Sequence, residues 1–301
     1  MTELNDGQKV EERALPLIGG RRFWVYSAET PPGEPMGDGL FNAAFAELDA
    51  RYQEDRSGPV GLCVPVSDPE LMRRRPEAIW AETELMYAGT QQEAASLAEA
   101  SSASTQLRIR YFYDATIGPG LPNSPTIARS EAVDYSLPPG YRMVPLAETE
   151  AVGPEDVLRL WEREGAMPDP AEGRRRVNEV SIVGLDPSDK IAAVSPVYVQ
   201  RNAQLGMDLW HLRGFVATEH RMGNLATQIL WATRDHLGKA YESGDDTRGP
   251  GVILEVENQM LMTYFNRAFW VYSDFWFIGV NERGAHVRVH YFPGAEAPLP
   301  Q

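Results

Sequence analysis

The clearest pattern of apolar and polar positions runs from residue 209 to residue 236. Residues 210–217 form a β-branched and aromatic run, which favours a buried strand. After a short turn, Leu225, Ile229 and Leu230 recur at helical spacing and indicate an amphipathic helix. The first N–H groups of such a helix have no intrahelical partners, and they carry partial positive charge. The small residues between the strand and the helix therefore predict a cradle for a pyrophosphate group.

The same kind of pattern predicts the elements that precede this stretch. Strands are predicted at residues 23–26, 60–66, 84–88 and 107–113, and helices at residues 41–52 and 69–79. Residues 1–20 are predicted to form a mobile arm, and the Pro- and Gly-rich residues 30–39 a loop. Residues 91–105 are rich in Ala, Ser and Gln, which indicates a loop or a frayed helix.

A Pro- and Gly-rich linker at residues 118–125, followed by Leu137-Pro138-Pro139-Gly140, indicates a domain boundary. We therefore predict two domains, residues 1–137 and 138–301, for which a chain of 301 residues is long enough. In the second domain, strands are predicted at residues 141–146, 179–185, 191–200, 252–256, 273–278 and 285–291, and helices at residues 154–164 and 260–268.

Two segments of the chain resemble each other when one is shifted by 190 residues. Identical residues then align in order: Gly61, Val66, Leu71, Met72, Ala78, Trp80 and Gly89 with Gly251, Val256, Leu261, Met262, Ala268, Trp270 and Gly279. At a shift of 180 residues, Arg108, Tyr111 and Phe112 align with Arg288, Tyr291 and Phe292. Ordered identities over a whole supersecondary unit predict an internal duplication, and chance similarity between units of like composition is the alternative.

Composition narrows the classes of function. The net charge of −15 argues against a nucleic-acid backbone as the main partner, because phosphate binding needs clustered Lys and Arg, whereas an amine substrate is compatible with it. The single cysteine, Cys63, excludes an internal disulfide and a Cys-rich metal site, and no other ligand spacing predicts a metal. No apolar run is long enough to span a membrane and the polar N-terminus does not resemble a signal peptide, so a cytoplasmic protein is expected.

The residues from Val216 to Ala226 resemble the acyl-CoA-binding motif of the GNAT superfamily of N-acetyltransferases. They read Val-Ala-Thr-Glu-His-Arg-Met-Gly-Asn-Leu-Ala, where the family has V-x-P-x-x-R-x-x-G-x-[GA] between a strand and a helix. Thr218 stands at the usual Pro and Asn224 at the first Gly, and Asn tolerates the left-handed backbone angles that Gly allows. The order of predicted elements from residue 141 onward is similar to that of the family. The resemblance implies an α/β fold with a mixed central sheet flanked by helices, in tandem with a truncated GNAT-like N-terminal unit.

The resemblance also implies an activity: transfer of an acetyl group from acetyl-CoA to a primary amine of a small molecule or peptide, without a metal. Cofactor contacts are implied for Val216, Ala217, Arg221, Met222, Gly223, Asn224, Leu225, Ala226, Thr227 and Asn258. The backbone N–H after the strand would polarise the thioester carbonyl. Tyr264 begins a segment similar to the family's Y-x-x-x-G-F, which implies that it is the acid for the leaving thiolate.

The general base and the function itself each have more than one interpretation. Glu255 and His211 are both candidate bases, since a neutral imidazole can take a proton directly or through water, and water alone is a third candidate. Residues 30–40 of the first copy hold three prolines and no Arg, and Arg74 aligns with Tyr264, so we expect that copy to bind no CoA. A scaffold protein that kept the fold without turnover remains open, as does a tandem transferase with another donor such as an aminoacyl-tRNA.

Overall fold

The structure is a computed structural model that describes residues 2–4, 8–27, 32–33, 35–91, 105–117, 135–167, 169–221 and 224–299, with only the backbone for Gln91 and Tyr264. The predicted linker at residues 118–125 and most of the predicted loop at residues 91–105 lie outside this part of the chain. So do Met222 and Gly223 of the predicted cradle.

The described residues form six α-helices and sixteen strands. The helices are α1 Pro35–Glu54, α2 Pro69–Arg74, α3 Pro154–Glu164, α4 Pro170–Arg176, α5 Leu225–Ser243 and α6 Gln259–Tyr264. The strands are β1 Thr2–Glu3, β2 Lys9–Leu15, β3 Arg21–Tyr26, β4 Gly61–Val66, β5 Ile79–Trp80, β6 Leu85–Gln91, β7 Thr105–Tyr111, β8 Arg142–Pro145, β9 Val180–Leu185, β10 Ile191–Asn202, β11 Met207–Leu212, β12 Phe215–Val216, β13 Gly251–Val256, β14 Phe269–Trp270, β15 Phe275–Val280 and β16 His286–Tyr291.

The chain forms two compact units. Unit 1 comprises Met1–Ser124, Arg201–Asp208 and Glu255–Gln301, and unit 2 comprises Pro125–Gln200 and Leu209–Leu254. These units do not coincide with the predicted domains 1–137 and 138–301, because the last strands of the chain belong with the N-terminal residues. The division into domains 1–137 and 138–301 stays a prediction.

Unit 2 is built on a mixed sheet with helices on both faces. Its strand order is β8–β9–β10–β11–β13, in which β11 and β13 run parallel while β8, β9 and β10 pair antiparallel. Val157 and Trp161 of α3 pack with Val194 on one face. Ile229 of α5 packs with Ala193 on the other face. Successive side chains of a strand point to opposite faces of the sheet. The neighbouring residues Ala193 and Val194 of β10 therefore contact helices on opposite faces. The predicted α/β fold with a mixed sheet flanked by helices is confirmed.

Unit 1 contains a seven-stranded sheet in the order β1–β2–β3–β4–β7–β6–β5, in which β3 and β4 run parallel. The prediction that residues 1–20 form a mobile arm is wrong, because residues 9–15 form β2 and bury Val10 and Leu15. Most of the remaining positions of β2 are charged and solvent-facing. A strand with so few apolar residues lacks the alternation by which sequence patterns reveal strands.

Three helices have bounds that differ from the predicted ones. α1 begins at Pro35, inside the predicted loop at residues 30–39, since Pro is tolerated in the first turn of a helix. α2 and α6 end after six residues, whereas the predicted helices at residues 69–79 and 260–268 are longer. After each of them the chain enters a two-residue strand, β5 or β14, that pairs with the following strand β6 or β15. Helical periodicity in the sequence does not reveal where the helix ends and this strand pairing begins.

The elements of the two copies recur at the same shift that aligns their identical residues. At that shift the bounds of β4, α2 and β5 coincide with those of β13, α6 and β14, and the start of β6 coincides with that of β15. The correspondence extends to the long helices as well, since the first residues of α1 and α5, Pro35 and Leu225, also align. The similarity that predicts a duplication thus holds at the level of elements and includes α1, which the aligned identities do not reach.

The two copies also make reciprocal hydrogen bonds within unit 1. The hydroxyl of Tyr111 donates to the carbonyl of Phe277 at 2.7 Å, and the hydroxyl of Tyr291 donates to the carbonyl of Tyr87 at 2.9 Å. Tyr111 and Tyr291 are aligned residues, and so are the positions of Tyr87 and Phe277. Burial raises the pKa of both hydroxyls, so they stay protonated donors.

A pair of backbone hydrogen bonds follows the same rule. The N–H of Ala78 donates to the carbonyl of Ala295 at 2.8 Å, and the N–H of the aligned Ala268 donates to the carbonyl of Ala115 at 2.7 Å. Each copy therefore gives the other the same donor and the same acceptor. Such an exchange is what an approximate two-fold axis within unit 1 produces.

Candidate functional site

The strand predicted at residues 210–217 is divided in two. β11 runs parallel to β13, and their pairing ends with Leu212 opposite Leu254. After Gly214 the chain continues as β12, which pairs with β10 through residues that include Val216. The edge of β11 that pairs with β13 therefore has no such pairing in β12. Within unit 2, β12 and β13 diverge after Leu212 and Leu254.

Some backbone N–H groups of β12 face away from β10. The N–H groups of Arg213 and Ala217 donate to carbonyls of β10 at 3.0 and 2.9 Å. Because the donors of a strand alternate between its two edges, the N–H groups of Gly214 and Val216 point to the opposite edge. Ala217 is fully buried and its N–H is bonded to Ala192, so the predicted cofactor contact by that residue has no free group to make it. Gly214 and Val216 are the donors that remain for a carbonyl.

The start of α5 presents backbone donors. Gln228 is the first residue whose N–H bonds within the turn of the helix, to the carbonyl of Asn224 at 2.8 Å. The N–H groups of Leu225, Ala226 and Thr227 come before it and have no acceptor among the described residues. They lie at the positive end of the helix dipole. Ala226 is exposed and carries only a methyl group, so an anion can approach the backbone there.

Two neighbouring residues at this helix start play smaller parts than the sequence predicts. Asn224 has φ −77° and ψ 13°, so the argument that Asn is tolerated there for its left-handed angles is wrong. The side chain of Leu225 is 1% exposed and belongs to the core, which leaves its N–H as the only group that can meet a ligand.

Arg221 lies beside the backbone of β12. Its Nε donates to the carbonyl of Val216 at 3.1 Å, and its guanidinium lies 5.9 Å from the centroid of the Phe215 ring. The residue is exposed, and its Nη groups have no partner among the described residues. The backbone thus holds one side of the guanidinium and leaves the planar pair of Nη donors, which suits a phosphate group, for an anion.

Side chains distant in sequence hold the turn that leads to Arg221. This turn, Thr218–His220, is a single 3₁₀ turn. Oε2 of Glu164, at the end of α3, accepts hydrogen bonds from the N–H and the hydroxyl of Thr218 at 3.0 and 2.6 Å. The hydroxyl of Tyr141 is hydrogen-bonded to Nδ1 of His220 at 2.9 Å. The Thr218 hydroxyl, followed by the Thr218 N–H, lowers the pKa of Glu164 below its ordinary value. Sequence reasoning missed these contacts, because they join residues that are 54 and 79 positions apart.

His211 lies on β11 with its ring held in a fixed plane. The imidazole stacks on Tyr198 of β10, with ring centroids 5.3 Å apart and an interplanar angle of 19°. The residue is half-buried. This packing suits a structural histidine and a positioned base equally, so the base role of His211 stays a prediction.

Glu255, the other candidate base, is engaged in an ion pair within unit 1. Its carboxylate lies 2.7 Å from Nη2 of Arg283, which also lies 2.8 Å from the carboxylate of Glu257. The two glutamates therefore point to one side of the chain. A proton transfer to Glu255 would have to compete with Arg283 for the same carboxylate.

Asn258 has a structural role at the start of α6. Its Oδ1 accepts hydrogen bonds from the N–H groups of Met260 and Leu261 at 2.9 and 3.2 Å, as Asp68 does at the start of α2. Within the Asn258 side chain, the amide nitrogen is left for the predicted contact with a cofactor. Tyr264 is the last residue of α6, and its side chain lies outside the described part of the chain.

The first copy has a different helix start. Asp38 lies in the first turn of α1, where Oδ1 accepts a hydrogen bond from the N–H of Gly33 at 2.8 Å. Its other oxygen lies 3.8 Å from Arg75. A carboxylate at this position repels a phosphate, whereas the first turn of α5 has no acidic residue. This difference supports the expectation that the first copy binds no CoA.

Two further features of the described residues bear on the predicted function. No His, Cys, Asp or Glu side chains are grouped in threes as a metal site would need. No helix in this part of the chain is long and apolar enough to cross a membrane.

Comparison with known proteins gives matches among solved structures only. No family model and no curated protein matches the sequence. An acetyltransferase of the GNAT family from Streptococcus pneumoniae is 12% identical, and the match covers 50% of this chain and 99% of that chain with a TM-score of 0.35. Arabidopsis thaliana NAA60, in complex with acetyl-CoA, is 13% identical over 51% of this chain and 99% of that chain, with a TM-score of 0.34. AtaT complexed with acetyl-methionyl-tRNAfMet is 8% identical over 50% of this chain and 94% of that chain, with a TM-score of 0.33.

Each of these matches covers about half of this chain. At identities of 8–13% and TM-scores of 0.33–0.35 these matches assign neither a family nor a residue role, so the roles of individual residues rest on the contacts of this chain. The expectation that no nucleic acid is a partner stays a prediction.

Proposed function

We propose that the protein is an acyltransferase that moves an acetyl group from acetyl-CoA to a primary amine. The observation that carries the proposal is the divergence of β12 from β13 before the start of α5, whose first N–H groups have no acceptor among the described residues. A pyrophosphate needs converging N–H donors and a compensating cation. The start of α5 and the free side of Arg221 supply these two kinds of group.

Specific residues of unit 2 would hold acetyl-CoA. The N–H groups of Leu225, Ala226 and Thr227 and the Nη groups of Arg221 would bind the pyrophosphate. Met222 and Gly223 belong to the same turn by sequence. The outward N–H groups of β12 would donate to the thioester carbonyl and stabilise the negative charge that develops on its oxygen.

When bound, acetyl-CoA supplies an activated thioester. A neutral amine would form a C–N bond to the carbonyl carbon while the C–S bond breaks, which releases one proton from the amine and leaves a thiolate. His211 is the candidate that would take the amine proton, directly or through water, with Glu255 as the alternative. Tyr264 would donate a proton to the thiolate, since a phenol with a pKa near 10 is protonated at neutral pH.

The acceptor would be a cationic small molecule or peptide that carries a primary amine. The net charge of −15 favours the approach of a cation. The reaction itself needs no metal, because the backbone donors polarise the carbonyl and side chains or water move the protons.

Thermal unfolding in the presence of acetyl-CoA tests the binding step. At a hundredfold excess over the dissociation constant, acetyl-CoA should raise the free energy of unfolding by about 2.7 kcal/mol. Release of free CoA thiol in the presence of a panel of amines then tests turnover. Stabilisation without thiol release from any amine would favour a binding or scaffold protein. Absence of stabilisation would contradict the proposal, and stabilisation by an aminoacyl-tRNA instead would favour another donor.

We also infer that the N-terminal half is a second, altered copy of the same unit. The common shift that relates the matching elements and the reciprocal hydrogen bonds of Tyr111 and Tyr291 support this inference. Asp38 at the start of α1 supports the view that the N-terminal copy has no CoA site of its own.

A further inference from the structure

The carboxylate of Glu164 joins the end of α3 to Thr218, in the chain that follows β12. Glu164 is the last residue of α3, and a negative charge at the C-terminus of a helix is opposed by the helix dipole. Its side chain is nevertheless only 9% exposed, because it is turned toward the chain that follows β12. One carboxylate oxygen accepts both hydrogen bonds from Thr218, and the other accepts from the neighbouring Arg163.

Thr218 stands at the position where the GNAT motif has Pro. The preceding residue, Ala217, has φ −57° and ψ 143°, the extended conformation that a following Pro requires. Thr218 itself opens the 3₁₀ turn, a position at which Pro is tolerated. The backbone at Ala217 and Thr218 therefore has a conformation that is compatible with Pro at position 218. Because this chain has Thr there, we look to another interaction to fix that conformation.

Hydrogen bonds of the short turn couple the position of Arg221 to that of Thr218. The N–H of Arg221 donates to the carbonyl of Thr218 at 3.4 Å, and its Nε donates to the carbonyl of Val216. A shift of Thr218 would move the guanidinium relative to β12. Positioning of this kind affects how well a site fits its ligand before the ligand arrives.

We propose that Glu164 is a positioning residue for the CoA site: its carboxylate holds Thr218 in place of the missing proline and so presets Arg221 and the turn before α5. This proposal rests on the proposed function, since it assigns the turn to acetyl-CoA binding. Glu164 itself contacts neither the cofactor nor the acceptor.

Restoration of acetyl-CoA binding by proline at position 218 distinguishes a positioning role of Glu164 from a purely structural one. Glu164→Ala should raise the dissociation constant for acetyl-CoA by about tenfold, the order expected when hydrogen bonds to a charged group are lost. Thr218→Pro in the same chain should restore the wild-type dissociation constant, because the ring fixes φ without the carboxylate. Glu162→Ala, an exposed residue of α3, is the matched control and should leave the dissociation constant unchanged. Isothermal titration calorimetry measures all four proteins.

Hydrogen exchange at the amides of His220 and Arg221 gives a readout that does not depend on the ligand. Exchange at both amides should be faster in Glu164→Ala than in the wild-type protein, and slow again in the double variant. Should Glu164→Ala fail to fold, Thr218→Val keeps the shape and the N–H but removes the hydroxyl, and it should show a smaller change in the same direction.

Two results would overturn the proposal. One is wild-type exchange and acetyl-CoA affinity in both Glu164→Ala and Thr218→Val. The other is weakened binding that proline at position 218 does not restore. A wild-type protein that binds no acetyl-CoA would contradict the proposed function instead, and the exchange rates would still report whether Glu164 holds the turn.

Discussion

At the scale of single residues, Ala226 gives the most direct test of the cradle. Its side chain is exposed on the second residue of α5, beside N–H groups that have no acceptor among the described residues. Ala226→Val adds two methyl groups there, and the lower helix propensity of Val should cost less than about 1 kcal/mol of unfolding free energy. We expect the variant to fold and to lose the stabilisation by acetyl-CoA.

Thermal unfolding with and without acetyl-CoA measures both effects of this change. Ala240→Val, more than three turns further along α5, is the control and should keep the full ligand-induced shift. A full shift in Ala226→Val would mean that the pyrophosphate lies elsewhere.

Tyr264 is the residue on which the chemical step can be tested. Tyr264→Phe keeps the ring and removes only the hydroxyl, so an acid that acts in the transition state would be lost without a change in binding. We expect kcat to fall about 10²-fold or more while the dissociation constant of acetyl-CoA is nearly unchanged. Steady-state kinetics with a reactive amine measure the first quantity and calorimetry the second. Tyr113→Phe in the first copy is the control, and a Tyr264→Phe variant with wild-type turnover would mean that water or another group protonates the thiolate.

At the scale of elements, the sequence predicts helices and strands that follow from local patterns of apolar residues. It does not predict strand pairing or contacts between elements that are distant in the chain. The helix that begins at Leu225 and the strand that ends at Val256 follow from the spacing of apolar residues, and both are found. The break at Gly214 is not visible in the sequence, because it consists of the end of the pairing with β13 while the pairing with β10 continues in β12. The contact of Glu164 with Thr218 is hidden for the same reason, since it joins two elements that are distant in the chain.

The short helix α4 carries the clearest pH dependence among the elements. Hydrogen bonds from Arg175 and then Arg176 lower the pKa of the Glu172 carboxyl from 4.5 to about 2. A carboxyl with a lowered pKa stabilises the folded state above its ordinary pKa, and this contribution is lost as the pH falls from about 4.5 towards 2. Because these side chains are exposed, the effect should be confined to α4 and modest.

Hydrogen exchange in α4 as a function of pH measures this contribution. After correction for the intrinsic pH dependence of exchange, the amides of α4 should lose protection between about pH 4.5 and pH 2. Glu172→Gln should already have the lower protection at neutral pH and should lack this step. Glu242→Gln, an exposed residue of α5, should behave as the wild-type protein does. An unchanged profile in Glu172→Gln would show that the two arginines do not hold α4.

At the scale of the whole molecule, each of the two similar segments of unit 1 contains one buried arginine, Arg108 or Arg288. Arg288 donates to the carbonyls of Phe265, Arg267 and Ala268, with its guanidinium 3.9 Å from the centroid of Trp270. The aligned Arg108 lies 4.1 Å from Trp80 and donates to the carbonyl of Glu77 at 2.8 Å. Burial lowers the pKa of both guanidinium groups to about 9, so they keep their charge at neutral pH and donate to backbone carbonyls. The copies therefore share an internal framework even though their helix starts differ.

The reciprocal hydrogen bonds bear on whether residues 138–301 can fold without residues 1–137. In residues 138–301 alone, the Tyr291 hydroxyl, the Ala268 N–H and the carbonyls of Phe277 and Ala295 all lose the partners that residues 78–115 supply. Water can reach these groups in the shortened chain, so each of the four lost hydrogen bonds costs roughly 0.5–1.5 kcal/mol net. The loss is about 2–6 kcal/mol, which is a large part of the total stability of about 5–15 kcal/mol of an ordinary protein.

We therefore expect residues 138–301, expressed alone, to show no cooperative unfolding transition and to bind a hydrophobic dye. Co-expression with residues 1–137 as a separate chain should restore both the transition and the stabilisation by acetyl-CoA. A cooperatively folding segment 138–301 that binds acetyl-CoA on its own would show that the N-terminal copy is an independent domain, and the predicted division at residue 137 would then describe the folding units after all.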